Sequence, residues 1–474
     1  MSIYERQGER SRYLLTAERL LSLPRKEPRS AAFFSKLARM YSQVDPARAK
    51  SLWERAAAAP SEPSVPRLAP QPVAAAAPVG AEELESLQAR LDAEPQNLDL
   101  LRRLADVHAL DEARWPQATA LYTRLLQCAP EDVEVLRLLA RLHGQQGDAE
   151  RAYCYYACLL CVVAQDSEAS RFVASCRAAR GSALPASQHL TPQAYGKLLA
   201  QVAVAEQSGP LEELLAPLAR YAELAHPANA LRDGELQRQS LVPADAPRLQ
   251  ALRPILALQS HPTARLPLRL WGAPRACEVH LGAAAPTLLL GRTLLAEETD
   301  QGSVPAGLFS LARAVELYRS GHTLCARLPA AELGALAAAL CQALGALPPE
   351  AAASAALGPQ GEQWATRLAP LLSSHIRQSM APKAHAYVAQ AAQLDVAGWA
   401  QAALFTANRL AMLLCCDVQE ATSTLAESPP PRRLDRAAAA QLLRAQCLDL
   451  LRFAQSDTYF ALRDSLGLQL PRSR

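Results

Sequence analysis

The sequence has few aromatic residues and almost no net charge. Phe, Trp and Tyr make up 5% of its 474 residues, and 49 basic side chains stand against 46 acidic ones, for a formal charge of +3. This balance gives no general field that would attract nucleic acid or an anionic membrane. The shortage of aromatic side chains also argues against stacking platforms for single strands. We therefore expect no nucleic-acid partner.

Closely spaced histidines are missing as well. No two of the nine lie three, four or five positions apart: His108, His143, His189, His226, His261, His280, His322, His375 and His385. Since one helix holds zinc through imidazoles at i and i+4, a helix-borne two-His site is excluded. The sequence contains no GxxxxGK[ST] loop, no GxGxxG after a strand and no GxSxG elbow. We expect no catalytic residues, no cofactor and no metal, although scattered ligands or a Cys/His pair stay open.

No apolar run is long enough to span a bilayer, and the N-terminal residues lack the apolar core of a signal peptide. Eleven cysteines, an odd number scattered in apolar stretches, fit reduced thiols better than disulfides. Cys154, Cys158 and Cys161 share one helix face, where they either pack on a neighbouring helix, which we favour, or bind a soft metal. We expect a cytoplasmic protein that does not insert into membranes.

A repeat of 34 to 35 residues is the clearest pattern that is present. Small and large apolar residues recur in the same order, and Pro130 ends the first unit near the expected turn: Leu101, Leu104, Ala105, Ala118 and Tyr122 return as Leu136, Leu139, Ala140, Ala152 and Tyr156. This pattern resembles the tetratricopeptide repeat family. We expect repeat-like helices over residues 1–59, a Pro/Ala-rich linker over 60–80 and repeats over 81–185.

In tetratricopeptide repeats, certain positions of the first helix of each unit face the concave surface. Arg39, Arg102, Asp106, Arg137 and Arg141 take these positions here. Because arginine binds carboxylates with two parallel hydrogen bonds, a row of arginines favours an acidic segment or a chain terminus of a protein or peptide partner. The alternative is a solvated surface on which the arginines pair with neighbouring acids.

The pattern changes from about residue 190, where we expect two helices over 193–225. Alternating apolar residues predict strands at 266–271 and 277–281, an apolar run predicts a third at 287–290, and we expect these to form a small meander. Long helices follow at about 304–328, 330–346, 361–380, 382–418 and 433–465. The chain is therefore expected to be mainly α, with a mostly helical α+β domain over residues 190–474.

One stretch, TLLLGRTLLAEETDQGSVPAGLFSLARAVELYRSGH from residue 287, resembles the HtpX-like zinc peptidase family. There a strand, a turn and an acidic loop lead to a helix with HExxH and a later Gly-His pair. If Gly321-His322 is that pair, Arg313, Ala314 and Leu317 stand for the first His, the Glu and the second His. None of the three can bind zinc or activate water.

A second segment, from Trp399, resembles the helix that supplies the family's third ligand in an ExxADR pattern. Leu404 falls on the ligand position and Asn408 on the acidic position. The resemblance implies an inactive zincin-type domain. We expect Arg313 to fill the vacant site and to hold a carboxylate such as Glu316 or Glu298.

The sequence thus predicts a non-catalytic adapter or scaffold for protein–protein interaction. A structural subunit of a larger self-assembling complex is the alternative, and an active metallopeptidase is the least favoured reading. The oligomeric state stays open.

Overall fold

The computed structural model describes residues 41, 45–58, 81–180, 192–218, 231–242, 266–271, 277–281, 286–295, 307–347, 359–431 and 434–470. Arg39, Glu298 and the linker expected over 60–80 lie outside these residues. The described chain is mainly helical and contains a small sheet of three strands. None of its helices has the length and apolar character needed to cross a bilayer.

The helices that precede the sheet are numbered in chain order. Their bounds are α1 Pro46–Ala58, α2 Ala81–Ala93, α3 Leu98–Ala109, α4 Trp115–Cys128, α5 Val133–Gln145, α6 Ala149–Val162, α7 Ser167–Arg180, α8 Pro192–Val202, α9 Pro210–Leu215 and α10 Asp233–Gln237. The two helices expected over 193–225 correspond to α8 and α9, and residues 219–225 of that prediction lie outside the described chain.

Each repeat unit folds as two consecutive helices joined by a short turn, α3 with α4 and α5 with α6. Asn97, Asp132 and Asp148 begin α3, α5 and α6 by accepting hydrogen bonds from backbone N–H groups of the first turn. The positions shared by the two units are buried, as the spacing predicts. Ala105 and Ala140 are both 0% exposed, so that a larger side chain would separate the paired helices.

The three strands are β1 Leu268–Trp271, β2 Glu278–Leu281 and β3 Pro286–Gly291. Their order is β1-β3-β2, with β1 parallel and β2 antiparallel to β3. The expected meander is therefore wrong, because a meander would place β2 in the middle. β3 carries the uninterrupted apolar run of the three strands and is buried over residues 287–291, as is typical of a central strand.

The helices after the sheet form the rest of the molecule. Their bounds are α11 Arg292–Leu295, α12 Leu308–Ser320, α13 Ala330–Ala343, α14 Pro359–Leu368, α15 Ser374–Gln390, α16 Val396–Cys415, α17 Val418–Glu427, α18 Arg436–Ala454 and α19 Asp457–Ser465. The expected break near Pro382 is wrong, since α15 continues through this residue. Pro382 is exposed, so water can bind the carbonyl that loses its helical partner.

The repeats and the C-terminal helices share one continuous apolar core. Helix α6 packs on α17 and α18. Polar contacts join the same surfaces: Arg177 pairs with Asp417 at 2.7 Å, and the fully buried Arg463 donates to Glu150. The regions predicted as separate units over 81–185 and 190–474 are therefore packed against each other.

Candidate functional site

Helix α12 carries three of the residues that the resemblance assigns to the metal site. It begins after Gly307, whose N–H donates to Glu420 Oε1 at 2.8 Å, and it ends at Gly321, which has φ of 79°. A Cβ at Gly321 would lie 2.6 Å from the carbonyl oxygen of Ala216, so both the backbone conformation and the contact require glycine. Between these ends, α12 packs on β2 and on α16.

Arg313 lies where α12 meets α16. Its Nε donates to Asn408 Oδ1 at 2.7 Å, and Asn408 Nδ2 donates to Gln446 Oε1 at 2.9 Å. Asn408 is 0% exposed and Gln446 is 7% exposed. Three polar side chains therefore link α12, α16 and α18, and the two segments singled out by the resemblance are in contact.

A cavity of about 370 Å³ opens beside this polar chain, and its wall on α12 includes Ser310, Arg313, Ala314 and Leu317. Leu404 is buried in the core on α16 and does not belong to the lining. The opposite walls come from the sheet, from the turn after α12 and from the segment after α17, and they include Trp271, Val279, Thr323, Arg327, Pro429 and Pro430.

The edge of β2 that faces the cavity already has hydrogen-bond partners. The Cys277 N–H donates to Ser310 Oγ at 2.7 Å. The carbonyl oxygen of Val279 accepts from Arg327 Nη2, which also donates to Glu278 Oε1 at 2.6 Å. The Cys277 N–H and the Val279 carbonyl are thus already hydrogen-bonded to side chains of the protein itself.

Arg313 has no acidic partner within the described chain. Burial in the protein lowers the pKa of its guanidinium to about 10, which still leaves it a cation at neutral pH. The expectation that it holds Glu316 is wrong: Glu316 faces the other side of α12, where it accepts from Arg319 at 2.9 and 2.7 Å and from Tyr195 Oη. The other expected partner, Glu298, lies outside the described residues.

A second polar cluster lies on that other side of α12, at a cavity of about 160 Å³. Two polar atoms there, His322 Nε2 and Gln207 Oε1, have no hydrogen-bond partner within the described chain. Burial, followed by the charge of Arg319, lowers the pKa of His322 to about 4. Sequence reasoning missed this cluster, because Tyr195 comes from a distant segment and His322 entered only as a landmark of the resemblance.

The arginines expected to face a partner form ion pairs inside the repeats. Arg102 pairs with Asp132, and Arg137 Nη2 lies 3.0 Å from Asp166 Oδ2. The arginines are 35 positions apart and the aspartates 34, so the contact recurs with the repeat and connects the first helix of one unit to the start of the next. Arg141 binds Glu168, with Nε 3.0 Å from Oε1.

Asp106 also has a partner inside the repeats, because it accepts from Tyr122 Oη at 2.6 Å. The three arginine side chains are nevertheless 39%, 25% and 30% exposed for Arg102, Arg137 and Arg141. Arg39 lies outside the described residues.

No three His, Cys, Asp or Glu side chains within the described ranges lie close enough together to hold a metal ion. Cys154 and Cys158 are buried in the core, and Cys161 accepts from Thr422 Oγ1 at 3.5 Å on α17. This is the packing arrangement that we favoured for the three cysteines.

Comparison of the chain with protein-family models, with curated proteins and with solved structures found no significant match.

Proposed function

We propose that the protein is a non-catalytic scaffold or adapter for protein–protein interaction, in which tetratricopeptide-type repeats are packed on an inactive zincin-like domain. The observation that carries this proposal is the chain of hydrogen bonds from Arg313 through Asn408 to Gln446. In this chain of hydrogen bonds, Arg313 stands where the resemblance would require a zinc ligand, and Asn408 stands where it would require an acidic residue.

The chemistry of this chain differs from that of a metal centre. A cationic guanidinium repels Zn²⁺ and offers no lone pair, and the alkyl side chains of Ala314 and Leu317 cannot ligate a metal or accept a proton. The side-chain oxygen of Asn408 accepts from Arg313, and its amide nitrogen donates to Gln446. These polar atoms therefore hold helices together, which supports a structural role for the helix that the resemblance assigns to catalysis.

The repeats supply the surface on which we place partner binding. The ion pairs of Arg102, Arg137 and Arg141 orient the partly exposed side chains. Arg137 uses all three of its nitrogens within the repeats, so the donors offered to a partner are those of Arg102 and Arg141. Guanidinium donors held in place in this way lose little entropy when they bind a carboxylate. An acidic segment or a chain terminus is the partner chemistry that this surface favours.

The test is affinity capture from native cytosol with an exchange variant as bait. Arg141→Glu combined with Glu168→Arg keeps an ion pair between the same positions but reverses the charge that a partner would meet. The matched control exchanges the exposed pair of Arg444 and Glu131, which lies 2.7 Å apart outside the arginine row. Circular dichroism confirms that both baits remain folded.

A partner held by the wild type and by the control, and lost with the Arg141 and Glu168 exchange, is the expected result. Equal capture by all three baits would exclude this surface as the binding site. If the bait captures mainly copies of itself, and light scattering shows a mass that rises with concentration, the chain is a self-assembling subunit instead. One equivalent of zinc together with chelator-sensitive peptidase activity would overturn the non-catalytic assignment.

A further inference from the structure

We propose that the cavity beside α12 binds an apolar carboxylate, which Arg313 anchors through its two Nη nitrogens. This inference goes beyond the scaffold function and does not depend on it, because the cavity and the repeat surface are built from different residues. The ligand class comprises the free C-terminus of a peptide and a small carboxylic acid, which share the group that Arg313 would recognise.

The first argument is the unused hydrogen-bonding capacity of Arg313. Only its Nε has a partner in the described chain, Asn408 Oδ1 at 2.7 Å, and the residue lines the cavity. Three other arginines with little exposure donate hydrogen bonds to acceptors of the protein itself. Arg319 donates to Glu316, Arg327 to Glu278 and the Val279 carbonyl, and Arg463 to Glu150 and the Leu468 carbonyl. Arg313 differs from these three, because its two Nη nitrogens have no acceptor within the described residues and its side chain lines a space large enough for a ligand.

The second argument is the charge inside the cavity. Among the described residues, three charged side chains belong to its lining: Arg313, Arg327 and Glu278. Arg327 and Glu278 neutralise each other at 2.6 Å, so that within the described lining the positive charge of Arg313 has no counterpart. A site of this charge favours a monoanion that accepts two parallel hydrogen bonds, and a carboxylate has that geometry.

The third argument concerns the shape of the ligand. Trp271, Leu317, Pro429 and Pro430 give the walls an apolar character, so that the group attached to the carboxylate should be apolar. A peptide strand added along β2 would have to displace Ser310 from the Cys277 N–H and Arg327 from the Val279 carbonyl, which disfavours continuous strand pairing. The ligand is therefore expected to enter by its acidic end.

Isothermal titration calorimetry on the full chain tests the proposal with four probes. N-acetyl-leucine carries the carboxylate on an apolar group, and N-acetyl-leucinamide is its uncharged control. The peptide N-acetyl-Ala-Ala-Leu with a free or an amidated C-terminus separates the two sources of the ligand. Tighter binding of the free peptide than of N-acetyl-leucine identifies a peptide terminus, and equal binding identifies a small acid.

Three variants show whether Arg313 is responsible. Arg313→Met removes the cation and Arg313→Lys keeps the charge without the fork, and both should weaken binding of the free acids on the order of tenfold or more. Arg444→Met removes an exposed cation that pairs with Glu131 and does not belong to the cavity lining, and should leave binding unchanged. Thermal melting followed by circular dichroism verifies that the three variants are folded.

The expected outcome is binding of the free acids, no binding of the amides, and loss of binding in both Arg313 variants. Binding of neither acid at millimolar concentration would overturn the proposal. Equal affinity for acid and amide would do the same, as would a folded Arg313→Met variant with wild-type affinity. None of these results bears on capture of a partner by the repeats, so the two proposals fail separately.

Discussion

Asn408 accepts the hydrogen bond that Arg313 makes within the described chain. Asn408→Ala would leave the guanidinium without an acceptor among the described residues and Gln446 Oε1 without a donor. Removing the acceptor of a partly buried charge is costly, so we expect the free energy of unfolding to fall by about 1–3 kcal/mol. Urea denaturation of the wild type and the variant at neutral pH measures this difference.

Asn408→Asp is the matched control, because it keeps the size of the side chain and supplies Arg313 with a carboxylate. We expect it to retain the stability of the wild type to within about 1 kcal/mol, since an ion pair replaces a neutral acceptor while the contact to Gln446 must be rearranged. If Asn408→Ala costs no more than Asn408→Asp, water in the cavity already solvates Arg313 and the bond to Asn408 contributes little.

His322 makes the stability of the protein dependent on pH. Burial lowers its pKa to about 4 from an ordinary value of 6.5. Between these two values the unfolded chain binds a proton that the folded chain does not, so the free energy of unfolding decreases as the pH falls from about 6.5 towards 4. At pH 5 this residue accounts for a loss of up to about 2 kcal/mol relative to pH 7.5.

The variant His322→Phe isolates this contribution, because it keeps an aromatic ring against Trp399, which lies 5.7 Å away between ring centroids. We expect the loss of stability between pH 7.5 and pH 5 to be smaller in the variant by about 2 kcal/mol. His385→Phe, at an exposed position, should leave the pH dependence unchanged. Denaturant titrations at the two pH values measure the free energy of unfolding of each protein. The same change between pH 7.5 and pH 5 in all three proteins would show that His322 is not the source of the pH dependence.

At the scale of helices and strands, the sequence predicts what depends on neighbours in the chain. The repeat could be predicted because buried small residues such as Ala105 and Ala140 recur at a fixed spacing, in helices that are joined to their partners by a few residues. The order of the strands could not, because alternation identifies a strand but not its neighbour in the sheet. The helix through Pro382 escaped prediction for a similar reason, as the exposure of that turn is set by the tertiary structure.

In the candidate site, too, the sequence indicates which residues of one helix lie together, but not their partners from other segments. The resemblance singled out Arg313, Ala314 and Leu317 on a predicted helix, and the structure has them together at one cavity. The partner of Arg313, Asn408, comes from a distant segment, whereas Glu316 pairs with Arg319 of the same helix and also with the distant Tyr195. Arg313 and Arg319 both lie three positions from Glu316, so spacing could not decide which of them pairs with it.

The end of α12 gives a prediction at this scale. Gly321→Ala would place a Cβ 2.6 Å from a backbone oxygen of Ala216 at a φ of 79°. The conformational cost alone is about 1–2 kcal/mol, and the contact with backbone adds to it, so we expect a loss of about 3 kcal/mol or more. Thermal unfolding followed by circular dichroism measures it.

Gly147→Ala separates the two causes. Gly147 has φ of 80°, and a Cβ there would meet no atom within 4 Å. The free energy of unfolding of this control variant should fall only by the conformational cost, about 1–2 kcal/mol. Equal losses in the two variants would show that the contact with Ala216 is readily relieved, and that α12 is held less firmly than its position beside both cavities suggests.

At the scale of the whole molecule, the repeats are tied to the C-terminal helices by a buried ion pair. Glu150 at the start of α6 binds Arg463 of α19, which is 0% exposed, and its second oxygen accepts from the Leu470 N–H at 2.8 Å. Glu150→Ala would leave Arg463 charged and buried. Removing one partner of such a pair typically costs about 3–5 kcal/mol.

Because the apolar core is continuous between the repeats and the C-terminal helices, we expect Glu150→Ala to destabilise both regions. Hydrogen exchange followed by mass spectrometry should show reduced protection in α5 and α6 and, together with them, in α16 and α18. Asp457→Ala is the control: it removes the partner of Arg151 from a position that is 84% exposed, where an ion pair contributes about 1 kcal/mol at most. A loss of protection confined to α19 and the repeats would mean that the two regions unfold independently despite the core they share.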